Sequence, residues 1–214
     1  MKPLLILRPE PGNSATATRT RALGLEVRQC PLFAVEPVAW AAPDPRDYDF
    51  LLVTSANALR LGGEELARLK GMAVVAVGPM TAAAARAAGF DVAVVGSAGV
   101  DAVLAELPAG ARLLHLAGVE HRRPDERYRV TTLSLYRATP LDIVLPDGPC
   151  VALVHSPRAG ARLSELADDR STIAVAAISA AAAAACGEGW ATVEFIAQPD
   201  ETALLALAAR LCQE

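Results

Sequence analysis

The chain has 214 residues, 53% of them hydrophobic and 4% aromatic, so it encodes a packed core of Ala, Val and Leu rather than a disordered tract. A formal charge of −4 with no basic face argues against a nucleic-acid partner. The first apolar run, Leu4–Leu7, stops at Arg8, too short for a signal peptide or a membrane span. The dispersed cysteines Cys30, Cys150, Cys186 and Cys212 form no Cys-x-x-Cys pair, so reduced cytoplasmic thiols without a metal are expected.

In chain order, a strand is predicted at Leu4–Leu7, a helix at Ser14–Leu23 and a strand at Glu26–Gln29. Pro31–Asp47, with Pro31, Pro37, Pro43 and Pro45, reads as a linker. Strand Phe50–Thr54, helix Ala56–Arg68, strand Ala73–Val77, helix Thr81–Ala88, strand Val92–Val95 and helix Asp101–Leu107 follow. Two strands, Arg112–Leu116 and Val130–Leu135, then lead to a second linker at Ala138–Pro149, with Pro140, Pro146 and Pro149. The remainder holds strands Val151–Val154, Ile173–Ile178 and Thr192–Ile196, and helices Arg158–Asp168, Ala180–Cys186 and Glu201–Leu211. Most strands are unbroken apolar runs, the mark of strands covered on both faces. The alternation predicts an α/β fold with parallel sheets wrapped by helices. Two layouts fit: an N-terminal piece that joins the C-terminal half around an inserted domain, or two consecutive domains divided near Pro108.

The chain also copies itself. LLVTSANALRL (Leu51–Leu61) with AVVAVGPMTAAAARAAGFDVAVV (Ala73–Val95) returns as ALVHSPRAGAR (Ala152–Arg162) with AVAAISAAAAAACGEGWATVEFI (Ala174–Ile196). Ser55 and Ser156 stand 101 residues apart, as do Gly78 and Ser179, and Val92 and Val193. A strand-turn-helix unit is therefore kept twice in register, and two similar halves predict a cleft between them.

The copies put polar residues at equivalent strand ends: Thr54-Ser55-Ala56-Asn57 in one, His155-Ser156-Pro157-Arg158 in the other, with Gly78-Pro79-Met80-Thr81 at a further one. Ligands of open α/β sheets bind outside such ends, and bare helix N-termini attract anions. The plainer reading of Ser55 and Ser156 is as helix N-caps. The Gly-rich phosphate fingerprints are missing, which argues against a nucleotide-dependent enzyme. His115, His121 and His155 lack metal-ligand spacing and read as solvated or satisfied histidines, and His121-Arg122-Arg123 as a solvated loop.

These motifs, in this order, resemble the uroporphyrinogen-III synthase family. The stretch LLILRPEPGNSATATRTRALGLEVRQCPLFAVEP is similar to its N-terminal pattern of strand, Arg-Pro, helix, Gly and Pro-Leu. LLVTSANAL matches its Thr-Ser strand end, AVGPMTAAAARAAGF its Gly-Pro-x-Thr helix start, LVHSPRAGARL its second Ser-Pro turn, and LSLYRATP carries its linker tyrosine, Tyr136. The resemblance covers nearly the whole chain and favours the interrupted layout. It implies two flavodoxin-like domains with parallel sheets, one discontinuous (1–33 with 147–214), the other inserted (38–137), joined by a two-stranded linker (hinges 34–37 and 138–146).

The implied reaction is cofactor-free. Hydroxymethylbilane, a linear tetrapyrrole with eight carboxylates, loses its hydroxyl to form an azafulvene; ring D attacks through its substituted carbon, a spiro intermediate forms, and the ring re-closes inverted as uroporphyrinogen III. Holding a folded conformer and stabilising charge would be the protein's main work. By resemblance, Tyr136 is the catalytic candidate, assisting hydroxyl departure. Arg8, Thr54, Ser55, Ala56, Met80, Thr81, Ser156, Arg158 and Ser179 are the substrate-binding candidates. Arg8 and Arg137 could meet propionates, and read equally as surface or linker salt-bridge residues. A cytoplasmic monomer is expected, with no membrane and no metal, and with a transient contact to the preceding pathway enzyme. The chain departs from the family pattern at Ile178-Ser179-Ala180-Ala181-Ala182, where Ala182 takes the place of a threonine thought to meet substrate, and at Leu116-Ala117-Gly118, where Leu-Arg-Gly is frequent. The lost threonine motivates the rival reading, a non-catalytic bilobal module that binds a tetrapyrrole or another polyanion.

Overall fold

The computed structural model describes residues 1–97, 99–121, 123–125 and 127–214. Its elements run β1 (Leu4–Ile6), α1 (Gly12–Ala22), β2 (Val27–Gln29), β3 (Phe33–Pro37), β4 (Phe50–Val53), α2 (Ala56–Leu61), β5 (Val74–Ala76) and α3 (Pro79–Ala87). Then come β6 (Val92–Val95), α4 (Val100–Ala105), β7 (Arg112–Gly118), β8 (Arg129–Pro140), β9 (Cys150–Val154) and α5 (Pro157–Leu166). The chain ends with β10 (Ile173–Ala177), α6 (Ala180–Ala184), β11 (Thr192–Phe195) and α7 (Glu201–Gln213). It divides into two compact units, Met1–Ala34 with Thr139–Glu214, and Val35–Ala138.

The discontinuous unit holds a sheet of order β11-β10-β9-β1-β2, with each neighbouring pair parallel. Counted within the unit, this is the flavodoxin-like order 2-1-3-4-5. Strands β1, β9 and β10 are wholly buried, as their unbroken apolar runs require. The edge strand β11 alternates half-buried and exposed residues. On one face Leu4, Val151, Leu153 and Ala176 pack with Leu204, Leu205, Ala208 and Leu211 of α7.

The inserted unit holds the order β3-β8-β7-β4-β5-β6, with β4 to β8 joined by parallel pairs. Its doubly wound part reads 3-2-1-4-5. Leu51, Val53, Val74, Leu114 and Leu116 pack on one face with Ala58 and Leu59 of α2 and Ala82 and Ala85 of α3. Leu52, Val75 and Leu113 pack on the other with Val103 and Leu104 of α4. In each unit the strand order reverses at one crevice, between β1 and β9 in the first and between β4 and β7 in the second. Ligands of such sheets bind in the crevice outside the carboxyl ends of the strands.

The structure departs from the sequence expectation in three places. Pro31–Asp47 is not all linker, because Phe33–Pro37 forms β3 at the sheet edge, where proline is tolerated. Strand β8 runs on to Pro140, into the second expected linker. The helix expected over Ala56–Arg68 stops at Leu61 and resumes as a tight turn at Glu64–Leu69. The break is Gly63, at a φ of 63° that non-glycine residues avoid.

The copied unit is structural in register. Ser55 and Ser156 cap α2 and α5, and Gly78 and Ser179 open α3 and α6. The copies differ at the last pair. Ser179 Oγ accepts from Ala182 N at 3.2 Å, whereas Gly78 has no side chain to offer. Ala182 itself is fully buried, and its carbonyl would lie 2.7 Å from a Cβ added at Gly160 of α5. The position expected to carry a substrate hydroxyl thus sits in a tight helix-helix seam.

Candidate functional site

The inserted unit gathers Thr54, Ser55, Ala56, Met80, Thr81 and Tyr136 around the C-terminal ends of its strands. Thr54 follows β4, and Ser55 Oγ accepts from Asn57 N at 3.2 Å. Pro79 begins α3 without an N–H to satisfy, so Met80 and Thr81 carry the first-turn amides. Met80 is 76% exposed and Thr81 only 7%. Arg137 is exposed on β8.

Tyr136 owes its direction to a bulge. Strands β7 and β8 pair in regular register to Ala117–Ser134, then skip, so that Gly118 pairs with Tyr136 and Leu135 is the extra residue. Such bulges re-aim side chains at functional sites. Leu135 turns into the core, fully buried, and Tyr136 lies over Gly118, so closely that a Cβ there would stand 2.7 Å from Cε2 and 3.2 Å from the phenol oxygen. Only glycine leaves room for the ring.

Two histidines were not among the expected site residues. His115, fully buried in β7, has Thr54 Oγ1 3.0 Å from Nε2 and Thr132 Oγ1 3.2 Å from Nδ1. His121, read as a solvated or satisfied histidine, donates from Nδ1 to the Gly118 carbonyl at 2.9 Å and meets the His115 ring edge-on. A carbonyl only accepts, so the His121 proton stays on Nδ1. Arg122 of the expected solvated loop lies outside the described residues. Strand register brought these groups together, and register is not written in residue spacing.

The discontinuous unit gathers Arg8, His155, Ser156, Arg158 and Ser179 at its own strand ends. Arg8 reaches Glu201 of α7 at 3.3 Å, and Glu201 also takes Arg19 at 2.8 Å and the Thr16 hydroxyl at 2.6 Å. Burial pushes the Glu201 carboxyl up, but Thr16, Arg8 and Arg19 outweigh it and hold the group below its ordinary value. The cation expected to meet substrate thus already has a carboxylate. Ser156 Oγ accepts from Ala159 N at 3.2 Å, and Arg158 lies 4.5 Å over the Phe33 ring.

Burial, with His121 nearby, pushes the His115 pKa down from 6.5 to about 4. Burial, then the Arg8 charge, does the same for His155. Between those values the unfolded chain binds more protons than the folded one. Stability is therefore complete above pH 6.5 and falls as pH drops toward 4, at up to about 1.4 kcal/mol per pH unit for each histidine. The depressed Glu201 carboxyl extends the loss to lower pH. Urea denaturation at pH 7 and pH 5 measures this, and equal stabilities would contradict it.

Among the described residues, no helix is long and apolar enough to cross a membrane, and no group of three or more His, Cys, Asp or Glu is placed to hold a metal ion. The family model for uroporphyrinogen-III synthase HemD matches residues 14–206. A uroporphyrinogen-III synthetase structure from Helicobacter pylori superposes with a TM-score of 0.70 at 15% identity, covering 99% of this chain and 100% of that one. A mutant uroporphyrinogen III synthase from the extremely thermophilic bacterium Thermus thermophilus superposes with a TM-score of 0.56 at 19% identity, covering 99% of each. At these identities the likeness is one of fold: two α/β domains with parallel sheets. A comparison with curated proteins gives no significant match.

Proposed function

We propose that this chain, which belongs to the uroporphyrinogen-III synthase family, cyclises hydroxymethylbilane to uroporphyrinogen III with inversion of ring D and loss of water. The family match over residues 14–206 carries this reading. The chain is thus an enzyme of tetrapyrrole synthesis, and we read it as a lyase that works without a cofactor.

The residues divide by chemistry. As the C–O bond of the hydroxymethyl group breaks, the pyrrole nitrogen supplies electrons and the hydroxyl leaves with a proton as water. Tyr136 has a phenol to donate toward that hydroxyl, and its fixed seat on Gly118 supports the role. The start of α3 offers the amides of Met80 and Thr81 to a carboxylate, with no side-chain cap at Gly78 to compete. The α2, α5 and α6 starts are already capped by Ser55, Ser156 and Ser179, which leaves those serines their hydroxyl hydrogens for substrate. Arg8 already spends Nη1 on Glu201 and Thr16, so its charge is partly neutralised before any substrate carboxylate arrives. The inserted unit should therefore provide most of the anion contacts. We also read the chain as a monomeric cytoplasmic enzyme; a substrate that closes unaided to the wrong isomer favours its hand-over by brief contact with the preceding catalyst.

The deciding assay supplies freshly made hydroxymethylbilane and separates the type III from the type I product. Type III is the expected product. Type I alone would overturn the reaction, and binding of uroporphyrinogen without turnover would identify a binding module instead.

A further inference from the structure

The reaction above makes no use of His115, although this imidazole bridges three neighbouring strands. Thr54 at the end of β4 lies at its Nε2 and Thr132 of β8 at its Nδ1, at 3.0 and 3.2 Å. The ring has no exposed area, and burial holds it neutral at ordinary pH. A neutral imidazole has one N–H and one lone pair. Two arrangements therefore satisfy both contacts. In the first, Nδ1–H donates to Thr132 while Thr54 spends its own hydrogen on Nε2, and Thr54 offers only lone pairs. In the second, Nε2–H donates to Thr54, Thr132 donates to Nδ1, and the Thr54 hydrogen is left over. Thr54 is half-buried, at the strand end beside the crevice where strand order reverses, so the leftover hydrogen has somewhere to go.

We propose that His115 is a positioning residue for substrate: with its proton on Nε2 it makes the Thr54 hydroxyl a donor to a carboxylate of the bound tetrapyrrole. The inference rests on the reading of the ligand as a polycarboxylate. A carboxylate accepts hydrogen bonds and has none to give, so it pairs with the second arrangement and is opposed by the first. Binding then selects the Nε2–H tautomer, as any ligand shifts the equilibrium toward the state it binds better.

Nitrogen-15 NMR of histidine-labelled protein, titrated anaerobically with uroporphyrinogen III, reads the tautomer directly. At saturation His115 is expected with Nε2 protonated and Nδ1 bare; Nδ1–H in the bound state, or no binding, overturns the proposal. In kinetics, His115→Phe leaves the Thr54 hydroxyl its hydrogen but no longer orients it, and should raise KM about 3- to 10-fold, up to the worth of one hydrogen bond, with kcat within twofold. His115→Gln, whose amide can donate to Thr54, should restore KM. Thr54→Val should raise KM in the parent chain but add little to His115→Phe. An unchanged KM in His115→Phe, or equal impairment of the Phe and Gln variants, overturns it. Parent protein that forms no type III product defeats the reaction instead, and the bound-state tautomer then decides the inference alone.

Discussion

Gly118→Ala is expected to lower kcat/KM by about 100-fold in a chain that still folds. The added methyl would stand 2.7 Å from Tyr136 Cε2 and 2.9 Å from Cζ, closer than real Cβ contacts. The Tyr136 backbone is pinned by the β7–β8 pairing and by Val119 N donating to its carbonyl at 2.8 Å. The ring must therefore move, and displacement of about 1 Å at a reacting group can cost about 100-fold in rate. The stability cost is that of overpacking, about 1–3 kcal/mol, read by urea denaturation. Gly118→Ala at full activity would show that the seat of the ring does not matter.

Tyr136→Phe is the companion experiment. It removes the phenol oxygen and keeps the ring on Gly118, so kcat should fall about 100-fold or more, the usual worth of a positioned proton donor. Affinity for uroporphyrinogen, by calorimetry, should stay within twofold. Equal losses in turnover and affinity would make the phenol a binding group and not an acid. If Gly118 acts only through that oxygen, Gly118→Ala added to Tyr136→Phe should cost little further turnover. Additive losses would mean that the methyl harms the site by another route.

The parallel sheets were readable in advance because their physics is local. Runs such as Leu4–Leu7 and Val151–Val154 are apolar without alternation, which suits only strands buried on both faces. Gly63 hid the end of α2, since the apolar spacing of Leu59, Leu66 and Leu69 continues past it and the break depends on backbone conformation. Strand β3 was concealed by its flanking prolines, which an edge position accepts. For the candidate site, Tyr136 could be picked out by its motif, but its orientation comes from a skipped residue that pairs it with Gly118. His115 could be seen only as a polar residue in an apolar strand. Its two threonine neighbours are 61 and 17 residues away, and pairing of three strands joins them. Glu201 stands 193 residues from Arg8, so the occupant of that guanidinium lay beyond any local pattern.

The seam between α5 and α6 bears on what position 182 can hold. With Gly160 set against the Ala182 carbonyl, and with Ser179 already bonded to the Ala182 amide, a threonine at 182 would put a hydroxyl at a fully buried position. Such a hydroxyl costs free energy unless a carbonyl of its own helix accepts from it. Position 182 is therefore packed for a methyl side chain, and enlarging it alone works against the contact of the two helices.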